Sequence, residues 1–217
     1  MSSEPTFRPR LEHGALLVYE SNEPNAPLAK RIDFTYNPEQ IRRTVATRTP
    51  QPQGAQRGGA AQDVLRVAGP PTETLTLTIV LNAADQLAEP ASNDAVVQNG
   101  LHPVLATVEL LLYPSTARIS EIERQAAEGA VQVSEASTPL VLLGWGRSRV
   151  VPVQITSMSV TEEQFDPSLN PIQARVELGL RVLTYIEFPQ DTGARRAFIA
   201  HQQKKEELSR LVAEEVR

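Results

Sequence analysis

Residues 172–182 read I-Q-A-R-V-E-L-G-L-R-V, with an apolar side chain at every even position. Ile172, Ala174, Val176, Leu178, Leu180 and Val182 share one parity; Gln173, Arg175, Glu177 and Arg181 share the other, with Gly179 among them. A period of two is a β-strand with one dry face and one wet face. At ~3.3 Å per residue the run spans roughly 35 Å, well beyond the usual strand. Burying the five larger dry-face side chains contributes ~1.5–3 kcal/mol each, on the order of ten kcal/mol in all. That is an upper figure, because an unfolded chain is already partly collapsed.

Residues 150–163 form a second β-rich run just upstream, and Asp166-Pro167 and Asn170-Pro171 mark the turn between the two. The pair reads as one long antiparallel hairpin. Its first strand changes phase: Val151, Val153 and Ile155 share one parity, Met158 and Val160 the other. Such a change predicts a β-bulge near Thr156-Ser157. A hairpin of this reach exceeds what a small domain needs to close its own core. Its edges would expose unpaired N–H and C=O groups, which soluble proteins cover, twist or pair. Closing a ring of copies pairs every such edge.

Elsewhere the same alternation predicts strands at 16–19, 31–36 and 74–81, with Leu75, Leu77, Ile79 and Leu81 dry and Thr74, Thr76 and Thr78 wet. Residues 41–48 are a weaker partner strand, and 140–145 a short buried one. Residues 83–100 are polar and read as a loop. His102-Pro103 opens a helix whose stripe is Val104, Leu105, Val108, Leu111 and Leu112; Pro114 stops it. A short second helix covers 118–128. Residues 1–10 read as a polar arm, 11–188 as the β domain, and 189–217 as a helical extension. Two flexible insertions are expected, the Pro/Gln/Gly/Ala stretch 49–71 and residues 115–138. The last helix carries two apolar patches, Phe198 with its neighbours near the start and Leu208, Leu211 and Val212 near the end, with a wholly polar segment between them. An interrupted stripe of this kind suits loose packing or docking on another subunit.

The 217 residues suffice for one large or two small domains. A net charge of −5, spread along the chain, argues against nucleic acid or an anionic membrane as partner. With no cysteine there is neither a disulfide framework nor a thiolate metal site. The N-terminus has no apolar core of a secretory signal, and no run is long enough for a membrane helix, so a soluble cytoplasmic protein without membrane insertion is expected. A membrane β-barrel would need more strands and aromatic girdles than the 5% aromatic content supplies. A small-ligand barrel would need evenly spaced up-and-down strands, which the Pro-rich stretch and central helix interrupt. His13, His102 and His201 are scattered, and no nucleophile elbow, Walker loop or zinc motif occurs. No catalytic residue, metal ligand or cofactor is expected.

Several pieces occur in a telling order: F-T-Y-N-P at 34–38, G-P-P-T-E-T-L-T-L-T-I at 69–79, L-L-L-Y-P at the end of the helix, P-L-V-L-L-G-W-G at 139–146, and the final hairpin through N-P-I-Q-A-R-V-E-L-G-L. Over roughly residues 11–188 this resembles the tube-like domain of contractile injection system proteins, the phage-tail-like devices built from sheath, inner tube, baseplate and spike. The resemblance implies a mainly β (α+β) fold: an antiparallel β-sandwich or barrel of the tail-tube type with a flanking helix. It implies a structural protein, a hexameric baseplate adaptor joining the inner-tube protein to the spike hub. An inner-tube subunit or tube terminator is the alternative within the same machine. Many relatives add a peptidoglycan-binding LysM module; here a single charged helix stands instead, suited to docking on a sheath or baseplate-wedge protein.

The expected inter-subunit or lumen residues are Val153, Ile155, Met158, Val160, Gln173, Arg175, Glu177 and Arg181. Leu75, Leu77, Ile79, Val108, Leu111, Trp145, Val176, Leu178 and Leu180 are the expected core. Phe198, Leu208, Leu211 and Val212 are the expected docking face of the last helix.

Overall fold

The computed structural model describes residues 12–19, 21–23, 25–48, 67–128, 138–146 and 148–215. The polar arm 1–10, most of the 49–71 stretch and residues 129–137 lie outside them.

The strands are β1 Ala15–Tyr19, β2 Leu28–Asp33, β3 Ile41–Ala46, β4 Thr72–Asn82, β5 Leu140–Trp145, β6 Arg149–Phe165 and β7 Pro171–Val182. They make one antiparallel sheet in the order β2-β1-β5-β6-β7-β4-β3. The fold is thus α+β and mainly β. It is one open sheet rather than two facing ones, and the reason lies in residues 33–36. Asp33 closes β2, which pairs with β1 at one end of the strand order, while Tyr36 bridges Val80 of β4 at the other end. Three residues of chain reach at most about 11 Å. The two ends of the sheet therefore meet at this corner, and the sheet is curled like a barrel that is stitched at one point. Phe34, 1% exposed, fills the corner and packs at 6.4 Å from Trp145. Gly14 lies so close to both rings that a Cβ there would collide with them.

The dry-face expectations for β4 and β7 hold for Leu75, Leu77, Ile79, Leu81, Ala174, Val176, Leu178, Leu180 and Val182, which are buried in one cluster, while Ile172 is half-buried against it. Leu16 and Val18 of β1, Val141 and Leu143 of β5, and Val151, Val153 and Ile155 of β6 complete it. The interior is filled by these branched side chains. The register of β6 against β7 slips between Ile155 and Ser157, which is the bulge that the phase change required. Gly179 lies opposite it, where Ser157 leaves no room for a Cβ.

Residues 83–100 are not a loop. They form α1 Ala84–Ala88, a 3-10 turn Pro90–Ser92 and α2 Asp94–Asn99, followed by α3 His102–Glu109. The Asn82 side chain accepts the N–H of Ala84 at 2.7 Å, and Asn93 closes the next turn onto Glu89. Only Leu87 and Val96 of the first two helices pack on the core, too few to leave a periodic stripe. From α3 and the turn after it, Leu105, Val108 and Leu111 enter the core as expected. Part of the 115–138 insertion is ordered as α4 Thr116–Ala127, capped by the Ser115 hydroxyl accepting from the Arg118 N–H. The last helix, α5, spans Gly193–Glu215.

The α2–α3 junction is tied to the hairpin tip. Leu101 N–H donates to Pro171 O at 2.8 Å, and Asn170 Nδ2 donates to Gln98 O at 3.1 Å. Gly100 makes this approach possible: its φ of 56° with ψ of −132° is essentially reserved for glycine, and a Cβ would collide with the Pro171 carbonyl. We expect Gly100→Ala to lower unfolding free energy by at least about 1–3 kcal/mol. Leu178→Ala, which empties the centre of the dry face, should cost about 2–5 kcal/mol. Denaturant titration measures both; a neutral Leu178→Ala would refute the strand assignment.

Candidate assembly surface

β6 is much longer than the strand beside it. β5 pairs only with residues 149–153 of β6, so among the described residues 154–165 have a strand partner on one side alone, β7. Two hydrogen bonds fix which residues point outward. Leu183 N–H donates to Pro152 O, and Ala83 N–H donates to Ile172 O. Odd residues of β7 therefore bond β6 and even ones bond β4. Beyond the bulge, Ser157, Ser159, Thr161 and Glu163 face β7, while Met158, Val160 and Glu162 direct their N–H and C=O groups away from it. Among the described residues no strand answers them. The outer side of β3 is open in the same way along Ile41, Arg43 and Val45.

Between these two edges, β3, β4, β7 and β6 present a continuous wet face. Thr74, Thr76 and Thr78 stand beside Arg181, Gly179 and Glu177, and these beside Gln154, Ser157 and Ser159. Polar side chains link across it. Gln173 Nε2 donates to Glu163 Oε2 at 2.8 Å, Arg175 lies 3.6 Å from Glu163, and Arg181 Nη2 donates to Gln154 at 2.9 Å. Exposed pairs of this kind add little stability. Arg181 also pairs with Glu187. Burial alone would raise the Glu187 carboxyl, but the Thr184 N–H and the Arg181 guanidinium outweigh it and hold it below the usual range.

The expected surface residues divide. Gln173, Arg175, Glu177 and Arg181 lie on the wet face, and Met158 and Val160 are half-buried along the open edge. Val153 and Ile155 belong instead to the core, because they stand beside Val182 and Leu180 on the dry face. Trp145 is half-buried against Phe34.

α5 crosses the ends of the strands. At its start, Gly193 and Ala194 donate to the backbone and side chain of Asn22, just past β1. Arg195 Nη1 donates to Tyr185 O in the 3-10 turn Tyr185–Glu187, and Phe198 stacks 5.9 Å from Tyr185. Lys205 then reaches Glu73, at the start of β4, at 3.3 Å; Glu73 also lies 3.7 Å from Arg43 of β3. Every residue from 206 to 212 is exposed. The expected docking face is accordingly split: Phe198 is spent on the core, while Leu208, Leu211 and Val212 stand free at 43%, 55% and 63% exposure. An open cleft of about 980 Å³ lies at the step between β5 and β6, lined by Leu110, Tyr113, Leu140, Ile155 and Phe188 among others. Sequence reasoning missed this cleft, because its walls come from distant segments.

Among the described residues no group of three or more His, Asp or Glu is placed to hold a metal, and no helix is long and apolar enough to cross a membrane. No protein-family model matches the chain, and no curated protein sequence matches it.

His201 is the one buried imidazole. It is 8% exposed, its Nδ1 has no hydrogen-bond partner, and it sits under α5 near Lys205, Glu73, Arg149 and the Ser148 backbone. Burial, with the Lys205 charge added, pushes its pKa below the ordinary value; Glu73 and the Ser148 hydrogen bond oppose this and lose. A depressed histidine contributes stability that is complete above the unfolded pKa of about 6.5 and is lost as pH falls toward the folded value. We expect α5 to loosen as pH falls below about 6.5, read as faster hydrogen exchange in residues 194–205. His201→Phe should flatten that dependence; an unchanged slope in the variant would assign it to other groups.

Proposed function

We propose that this chain is a ring-forming structural component of a contractile injection system, a baseplate adaptor between inner tube and spike hub. The reading rests on the resemblance of the hairpin and its preceding strands to the tube-like domain, and one structural observation carries it: the open edge of β6 over residues 154–165. An unanswered edge of this length in a protein with a filled interior calls for another strand.

Charge favours head-to-tail pairing of that edge with β3 of the next copy. The β6 edge carries Glu162 and Glu163, and β3 carries Arg42 and Arg43. Pairing β6 with β6 would set like charges against each other; pairing it with β3 sets opposite ones. A heterologous contact of this kind repeats around an axis and forms a ring when the rotation between copies closes. The wet face of β3, β4, β7 and β6 would then line a continuous polar channel, as an inner tube requires. The inner-tube subunit of the same machine is the second reading. The projecting outer half of α5 favours the adaptor, because a subunit stacked many times on itself gains from flat, regular ends.

Glu162→Pro tests the edge. Its N–H points away from β7, so proline removes a donor that the monomer does not use and leaves the hairpin intact. We expect the monomer to keep its melting temperature within a few degrees, while ring formation, imaged alone or with co-purified tube and spike proteins, is lost. Glu162→Ala should assemble. Rings from Glu162→Pro would overturn the edge assignment.

A further inference from the structure

We infer that the outer half of α5 docks on the base of α5 in a second copy of this chain, so that the helices form a shingled girdle around the ring. This rests on the head-to-tail ring proposed above and adds a second, separate contact to it.

The first argument is length. The repeat of the ring is four strands, β3, β4, β7 and β6, which at ~4.8 Å apart make about 19 Å. α5 has 23 residues, and at 1.5 Å each it is about 34 Å long. It runs from the Asn22 loop past the Ser148-Arg149 end of β6 to Glu73 of β4 and the neighbourhood of Arg43 on β3. A helix that starts at the Asn22 loop beyond β1, passes β6 at His201 and reaches β4 at Lys205 with ten residues still to run overhangs the last strand ends. In the ring, the overhang meets the next copy at the base of its own β6.

The second argument is what waits there. Tyr185 and Ile186 of the 3-10 turn and Ile199 of α5 form an apolar base, at 37%, 49% and 38% exposure. The tip offers Leu208, Leu211 and Val212. Ile199 and Leu211 are separated along the helix by about 18 Å, which matches the four-strand repeat. Advancing one copy along the ring therefore brings tip onto base. A rigid helix cannot fold its tip back on its own base, and the match to the ring repeat favours another copy as the occupant.

The chain contains no cysteine, so disulfide trapping is clean. Full-length protein carrying Ile199→Cys and Leu211→Cys, both exposed positions, is oxidised and run on a non-reducing gel beside a sedimentation profile. Bridging needs Cα atoms within about 7 Å, so the two cysteines cannot join within one chain. Leu211→Cys combined with Val97→Cys, on the exposed side of α2 at 42% exposure, gives the random-collision background. The expected result is a ladder of covalent oligomers well above that background. Rings in sedimentation without a ladder would overturn the helix contact and leave the edge pairing standing. A chain that stays monomeric at every concentration, with no ladder, would overturn both.

Discussion

The pairing of β7 on both sides holds the molecule together. Its residues 173–182 match β4 in unbroken register, and β6 flanks the same stretch with a single slip. With neither edge open, β7 can bury Val176, Leu178 and Leu180 completely without stranding a backbone donor. β4 then carries β3 and the Tyr36 bridge, and β6 carries β5, β1 and β2. α3 packs at the hairpin-tip end of this sheet and α5 at the other, so both helices depend on where β7 puts its neighbours. A one-residue slip of β7 would turn every one of its leucines to the wet face.

Alternation made this part of the fold legible. β4 and β7 alternate strictly, and strict alternation has one reading. The bulge was equally plain, because a reversal of parity inside a strand has few other causes. The helices at 84–99 were hidden, since two short helices that each give one side chain to the core leave no stripe, and their turns are held by Asn82 and Asn93 rather than by apolar contacts. Curling was hidden for a different reason. It depends on Tyr36 finding Val80, a contact between residues whose local patterns say nothing of each other.

The surface was legible only in part. The polar parity of β7 revealed Gln173, Arg175, Glu177 and Arg181. It could not show that β5 begins only at Leu140 and that no described strand lies beside β6 beyond it, because strand length and partner length are set in separate parts of the chain. Assigning Val153 and Ile155 to the same surface failed because both pair with the dry parity of β7, at Val182 and Leu180. In α5, the polar segment between the two patches correctly separated an inner half from an outer one. The burial of His201, however, follows from the packing of α5 on β6, which no helical pattern contains.

On the ring reading proposed above, the stretch of β6 that no described strand covers also bears on the life of the chain before assembly. A freshly made copy presents backbone donors and acceptors that any extended segment of another protein could satisfy, the usual beginning of aggregation. Glu162 and Glu163 sit on that stretch as gatekeepers, since adjacent negative charges repel a second identical strand and discourage amyloid-like stacking. Solubility while waiting and selectivity at the moment of joining would then come from the same two carboxylates.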